Sequence, residues 1–143
     1  DALPIFSLTA VSMCEGSDKI TELFSHYNRA QSAAFSAIVQ EAAKEYGVEP
    51  EIIAAIIVVE SGVRSHVISK DGDYGLMQIR YRVHRDKVKT INELLDPKTN
   101  IFIGTRIFKQ YLNQKKTLRS ALIRYSGGNR RMADKVLRIR REL

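Results

Sequence analysis

Apolar residues recur along most of this chain at the spacing of a helix face. Ile20, Leu23, Phe24 and Tyr27 stand at i, i+3, i+4 and i+7, with Asp18 placed to cap the turn before them. Phe35, Ile38, Val39, Ala42, Ala43 and Tyr46 carry a second such stripe, which Gly47 stops. Pro50, pre-set for a first helical position, opens a third helix with Glu49 and Glu51 at its positive end. Its sequence, EIIAAIIVVES, is apolar nearly all round until Glu60, and Gly62 ends it. Asp96-Pro97 starts a fourth helix, running through about Leu112 on Ile101, Gly104, Phe108, Tyr111 and Leu112. Leu118, Ala121, Leu122 and Tyr125 predict a shorter one closed by Gly127-Gly128. Asn129 then caps a last helix bearing Met132, Ala133, Val136 and Leu137.

The stripe fails between Gly62 and Asp96. Ser69-Lys70-Asp71-Gly72-Asp73-Tyr74-Gly75 is turn chemistry centred on Asp-Gly, and Leu76-Met77-Gln78-Ile79 suits a brief strand. The expected architecture is therefore mainly α, with a short irregular or β excursion around residues 66–80. Irregular backbone held among rigid helices is where sites are commonly built.

Composition narrows the classes. A chain of 143 residues, 44% of them hydrophobic, fits one domain with a real core. Its single cysteine, Cys14, excludes a disulfide framework and a cysteine-based zinc site, and His26, His66 and His84 lack metal-ligand spacing. No run approaches the roughly 20 apolar residues that span a bilayer. The apolar stretch at 2–13 is short and broken by Pro4, and the chain opens on Asp1; the expectation is an exported protein whose signal is absent or removed. Charge is uneven. Residues 106–141 hold twelve Lys/Arg against one acid, Asp134, making that segment +11 within a chain of +7 and leaving −4 elsewhere. Such a face suits a polyanion: nucleic acid, an anionic membrane or an acidic cell-wall polymer.

One carboxylate stands out. Glu60 shares a helix face with Ile53, Ile56 and Ile57, so its side chain leaves a buried surface near the negative end of its helix, and both circumstances raise a carboxyl pKa. A carboxyl kept protonated near neutrality suits general-acid catalysis, as in glycosidic cleavage. The spacing equally allows Glu60 to roll outward into solvent. Arg64 follows at i+4 but beyond Gly62.

The ordered motifs Glu60-Ser61-Gly62, Tyr74-Gly75-Leu76-Met77-Gln78-Ile79, Leu95-Asp96-Pro97-Lys98-Thr99-Asn100-Ile101 and Arg124-Tyr125-Ser126-Gly127-Gly128 resemble the lytic transglycosylase family. The chain looks most like the short members associated with secretion systems. The resemblance runs from about residue 35 to 141 and implies a goose-type-lysozyme-like helical domain at 33–143; residues 1–32 lie outside it, an N-terminal extension whose amphipathic stretch from Asp18 to Tyr27 predicts one helix. It implies peptidoglycan glycan strands as substrate, no metal or cofactor, a periplasmic or envelope location, and secretion or conjugation machinery as a partner class. Residue by residue, it makes Glu60 the single catalytic acid/base and Ser61 a support for its setting. Ser69 would line the cleft near the substrate's N-acetyl group. Tyr74, Gly75 and Met77 belong with Gln78 to the substrate-binding turn, Gln78 itself binding sugar. Tyr125 would bring its hydroxyl near the catalytic carboxyl. Ser126 stands where the family commonly has asparagine, and Arg80 where many relatives are apolar; Arg80 either meets a peptide-stem carboxylate or faces solvent.

Two other readings remain open at this point. A hydrolytic muramidase would need a second carboxylate, for which Asp71 and Asp73 are the candidates. A small nucleic-acid-binding module would use the +11 segment, its last two helices passing for a helix-turn-helix. Taken alone, Tyr125 and Met77 read as core and His84 as a surface histidine.

Overall fold

The computed structural model describes residues 19–143, so the Asp18 cap and Cys14 lie outside the described residues. Residues 19–25 form helix α1, followed by α2 (Ser32–Tyr46) and α3 (Pro50–Ser61). A two-stranded ladder comes next, β1 (Asp73–Tyr74) and β2 (Ile79–Arg80), then the one-turn helix α4 (Tyr81–His84). Two 3-10 turns, Arg85–Lys87 and Ile91–Leu95, lead into α5 (Pro97–Gln114), α6 (Leu118–Tyr125) and α7 (Arg130–Glu142).

Helix α3 is the hub. Every residue from Ile52 to Val58 is buried, as expected of a helix without a polar face, and α2 and α7 pack against it. Each fully buried isoleucine there contributes about 2 kcal/mol of transfer free energy. Helix α5 packs on α2 and α6, and α6 on α7, closing the ring around α3. Ile20 and Phe24 of α1 are wholly buried in this same core, so the N-terminal helix braces the domain.

The predicted punctuation is realised by side chains. Asp96 accepts a hydrogen bond from the Thr99 N–H, and Asn129 from the Met132 N–H, each capping its helix. Gly47 and Gly62 terminate α2 and α3 in the left-handed conformation. Val63 follows Gly62 with φ of +61°, rare for a β-branched residue. Its side chain is fully buried, and its carbonyl accepts a hydrogen bond from Asn28 Nδ2 at 2.9 Å, so packing and bonding hold the strained turn.

One sequence expectation changes here. Leu76–Gln78 is a tight turn rather than a strand; only Ile79 pairs, opposite Tyr74. The stretch 81–95, which carries no stripe, is a chain of single turns. A reciprocal capping box, Thr90 with Glu93, starts the second 3-10 turn and fixes its entry.

Candidate active site

Asn100, in the first turn of α5, organises the central excursion. Its side chain is fully buried. Its Oδ1 accepts the Met77 N–H at 2.8 Å, while its Nδ2 donates to the carbonyls of Tyr74 and Leu94, each at 2.7 Å. The turn presses so close that a Cβ on Gly75 would overlap the Asn100 amide and the Leu94 carbonyl; Gly75 also has φ of +76°. Beneath it, Gly104 leaves room for the Met77 side chain. Seated this way, the turn delivers Gln78 at φ +51°, a second non-glycine residue in the left-handed region. Backbone strain of this kind, of order 1–3 kcal/mol, persists where surrounding structure over-determines it and tends to gather at functional sites.

Glu60, on the last turn of α3, opens into a cleft with Gln78, Tyr125 and Ser126. Asp73 and Arg80 come from the ladder, Val83 and His84 from α4, Ile107 and Tyr111 from α5, and Arg124 from α6. Glu60 is half-buried, and the pKa of its carboxyl is pushed up to about 7, first by desolvation and then by the negative charge of Asp73. Arg64 does not oppose this: its Nε donates to the Ser61 carbonyl instead. The outward-rolled alternative for Glu60 is therefore not the conformation adopted.

Asp73 is itself firmly held. Arg80 donates to it through Nε at 2.9 Å and Nη2 at 3.2 Å, and the Ser69 hydroxyl donates at 3.0 Å while accepting the Asp73 N–H. Arg80 is thus tied across the ladder, neither free in solvent nor open to a substrate carboxylate alone. Replacing Asp73 with asparagine removes a negative charge near Glu60 and favours its ionised form. The Glu60 carboxyl is then expected to titrate at lower pH, which NMR titration of the labelled side chain measures.

Tyr125 completes the back wall. Its ring lies edge-on to Phe108, with centroids 6.0 Å apart, and its hydroxyl donates to the Met77 carbonyl at 2.7 Å. Burial, then the nearby Glu60 charge, hold its pKa well above the ordinary phenol value. It stays a neutral donor. Gln78 spends its amide nitrogen on the carbonyls of Val67 and Gly75, each at 3.0 Å, so its Oε1 is the atom left for a ligand.

Several sequence-named residues sit elsewhere. Ser61 is buried, its hydroxyl bonded back to Ile57 one turn earlier, and the Met77 side chain is wholly in the core. Neither side chain can touch a substrate, because each is enclosed by the helices it packs against. Gly75 is buried under Asn100, and Tyr74 lies edge-on to Tyr81 and offers its carbonyl to Asn100. Ser69 stands one step behind the cleft, bonded to Asp73, and Asp71 is exposed outside it. Ser126 lines the cleft, but its hydroxyl is engaged in its own turn, 2.9 Å from the Ile123 carbonyl and accepting the Asn129 N–H at 3.0 Å.

His84 was legible only as a surface residue; it is half-buried on the cleft wall. Its Nδ1 is buried without a partner among the described residues. Desolvation, reinforced by Lys87 and Arg124 and opposed in part by Asp86, holds its pKa below the usual imidazole value. Among the described residues no group of His, Cys, Asp and Glu is arranged to hold a metal ion.

A sequence profile described as the Transglycosylase SLT domain matches residues 37–141, nearly the whole of this architecture. The chain belongs to that family. Relatives named endo-type membrane-bound lytic murein transglycosylase A share 37% identity in Klebsiella pneumoniae subsp. pneumoniae, across 47% of this chain and 37% of the relative. The Citrobacter koseri relative of the same name shares 38%, across 48% of this chain and 38% of its own length. The chain thus spans under two fifths of these relatives. As an SLT-domain member, it is mainly helical with a small two-stranded sheet, as its hydrophobic pattern predicts. None of the described helices is long and apolar enough to cross a membrane.

Proposed function

We propose that this SLT-domain protein is a peptidoglycan lytic transglycosylase that cleaves the β-1,4 bond between N-acetylmuramic acid and N-acetylglucosamine. The observation that carries the reading is Glu60: a carboxyl at the end of a buried helix, protonated near neutrality, open to a cleft shared with Gln78 and Tyr125. The proposed catalytic unit is 33–143, braced by the helix of the 1–32 extension.

On this reading Glu60 gives its proton to the glycosidic oxygen as the bond to the muramyl anomeric carbon breaks. The substrate's own N-acetyl group supports the oxocarbenium-like state. The Glu60 carboxylate then takes the proton of the muramyl 6-hydroxyl, whose oxygen bonds to the anomeric carbon. The acid is restored and the product ends in a 1,6-anhydro sugar. A pKa of about 7 suits a group that must donate and then accept one proton. Gln78 Oε1 serves as an acceptor for sugar hydroxyls or the N-acetyl N–H, and exposed Val83 offers an apolar wall to a ring face. Tyr125 acts as a positioning residue, clamping the turn that carries Gln78 through the Met77 carbonyl. The reading brings with it a location, the bacterial periplasm or envelope, and a purpose, local opening of the wall beside secretion or conjugation machinery.

Asp73 favours a second reading, because it lines the cleft beside Glu60 and a hydrolase needs a second carboxylate. Its bidentate pairing with Arg80 and bond from Ser69 commit its oxygens elsewhere, which counts against a nucleophile or base. Digesting purified sacculi and reading the muropeptides by mass spectrometry separates the two. Anhydromuropeptides are expected; reducing ends would make the protein a muramidase, and no soluble product would overturn both.

A further inference from the structure

Among the described residues, two that are not glycine have a positive φ: Val63 at +61° and Gln78 at +51°. Asn100 holds the turn of the second; the first is held from outside the elements that line the cleft. Helix α1 is fixed by Ile20 and Phe24, both wholly buried. The Phe24 carbonyl accepts the N–H groups of Tyr27, at 2.9 Å, and Asn28, at 2.8 Å, so the anchored helix sets where Asn28 stands. Asn28 then reaches both ways. Its Oδ1 accepts the Gln31 N–H at 3.3 Å, just ahead of α2. Its Nδ2 donates to the Val63 carbonyl at 2.9 Å and to Gln31 Oε1 at 3.1 Å.

The Val63 turn is a hinge between two parts of the site. On one side it closes α3, whose last turn carries Glu60. On the other it launches 64–68, the segment that steadies the Gln78 turn. There the Val67 carbonyl accepts Gln78 Nε2 at 3.0 Å and the Gly75 N–H at 2.8 Å, and Ile68 bridges to Tyr74. A β-branched residue does not keep a left-handed backbone unaided. Released to negative φ, Val63 would swing 64–68 relative to α3 and change the separation of Glu60 from Gln78. We propose that Asn28 is a positioning residue for the reaction: from the end of α1, ahead of the matched domain, it holds Val63 and so the spacing of Glu60 from Gln78. The inference rests on the transglycosylase reading above.

The test is Asn28→Asp, assayed on soluble glycan strands. Aspartate has the same size and still accepts the Gln31 N–H, but it has no N–H to give Val63. On anhydro-product release, kcat per folded molecule should fall about ten-fold, as a small misplacement of the acid predicts. KM should stay within about three-fold of wild type, because Asn100 still seats the turn of Gln78. The Glu60 carboxyl, less enclosed once α3 loosens, should titrate at lower pH by NMR. The added charge acts in the opposite direction, and the other ionisable groups around the cleft, Asp73, Arg80, His84, Tyr111, Arg124 and Tyr125, are unaltered. Asn28→Ser, shorter and uncharged, should give the same two changes. A lower thermal midpoint with kcat per folded molecule and the Glu60 titration unchanged would make Asn28 purely structural and overturn the inference. So would an upward titration in Asn28→Asp with none in Asn28→Ser, which is charge alone. If wild type releases no anhydro products, it is the transglycosylase reading that fails, and the Glu60 titration still decides the role of Asn28.

Discussion

Replacing Glu60 with glutamine is expected to lower release of anhydromuropeptides by at least about a hundred-fold, and toward ten-thousand-fold if no other group supplies the proton. The amide keeps the size and polarity of the side chain but can neither donate nor recover the proton. In the wild type the acid form disappears above its pKa of about 7, so the rate should fall on the alkaline side of neutrality. Activity of the variant equal to wild type would remove Glu60 from the mechanism.

The same substitution has an opposite effect on stability. Glu60 titrates near 7 in the folded protein and near the ordinary 4.5 when unfolded, so the folded state binds the proton more tightly. Its contribution is therefore fully present below about pH 4.5 and is lost as pH rises through 7. Ionising it in the cleft costs up to about 3 kcal/mol. Glu60→Gln should accordingly melt higher than wild type at pH 8 and close to it at pH 4.5, as calorimetry at the two pH values would show. An inactive variant that is more stable only in alkali ties the carboxyl to the strain of its site; a uniform shift at both pH values would not.

Asn100→Leu is expected to produce the largest loss of stability among the substitutions considered. Leucine approximates the volume but leaves the Met77 N–H and the Tyr74 and Leu94 carbonyls without their partner. Stranding three backbone groups at this depth costs about 3–5 kcal/mol. Denaturant unfolding should show the midpoint falling with little change in slope. Activity should fall further than the loss of folded protein explains, because the freed turn carries Gln78 and, through Met77, the anchor of Tyr125. A variant within about 1 kcal/mol of wild type would mean that water or a shifted backbone replaces those bonds.

Much of the frame was legible from spacing because the long helices bury continuous stripes and carry their own punctuation. Pro50 and Gly62 bracket α3, Asp96 caps α5, and Asn129 caps α7, each through chemistry confined to a few neighbouring residues. The segment 81–95 was not legible as structure, since single turns bury too little to print a period. The Thr90-to-Glu93 capping box was its one local signal. The site divides along the same line. Glu60 follows from its place on an apolar helix, whereas the neighbours that decide its titration come from elsewhere in the chain. Asp73 reads as a turn former, and only the pairing of β1 with β2 brings it together with Arg80. His84, Tyr111 and Arg124 reach the cleft from three separate helices, and nothing local to them announces it. Met77 and Ser61 are adjacent in sequence to site residues, yet helix and turn geometry direct their side chains into the core.

The ladder between β1 and β2 pairs only Asp73 with Arg80 and Tyr74 with Ile79. Side chains alternate faces along a strand, so losing or gaining one residue in the turn at 75–78 would invert which of them meet the cleft. Arg80 would turn away from Asp73, which Ser69 holds from the other side, and the charge of Asp73 beside Glu60 would lose its counter-ion. The length of this turn therefore calibrates acid strength: it is a four-residue spacer whose count helps set the pH at which Glu60 changes charge. An insertion here would also pull the turn off Asn100, so the spacing that fixes the charge beside Glu60 is the same spacing that holds this part of the fold together.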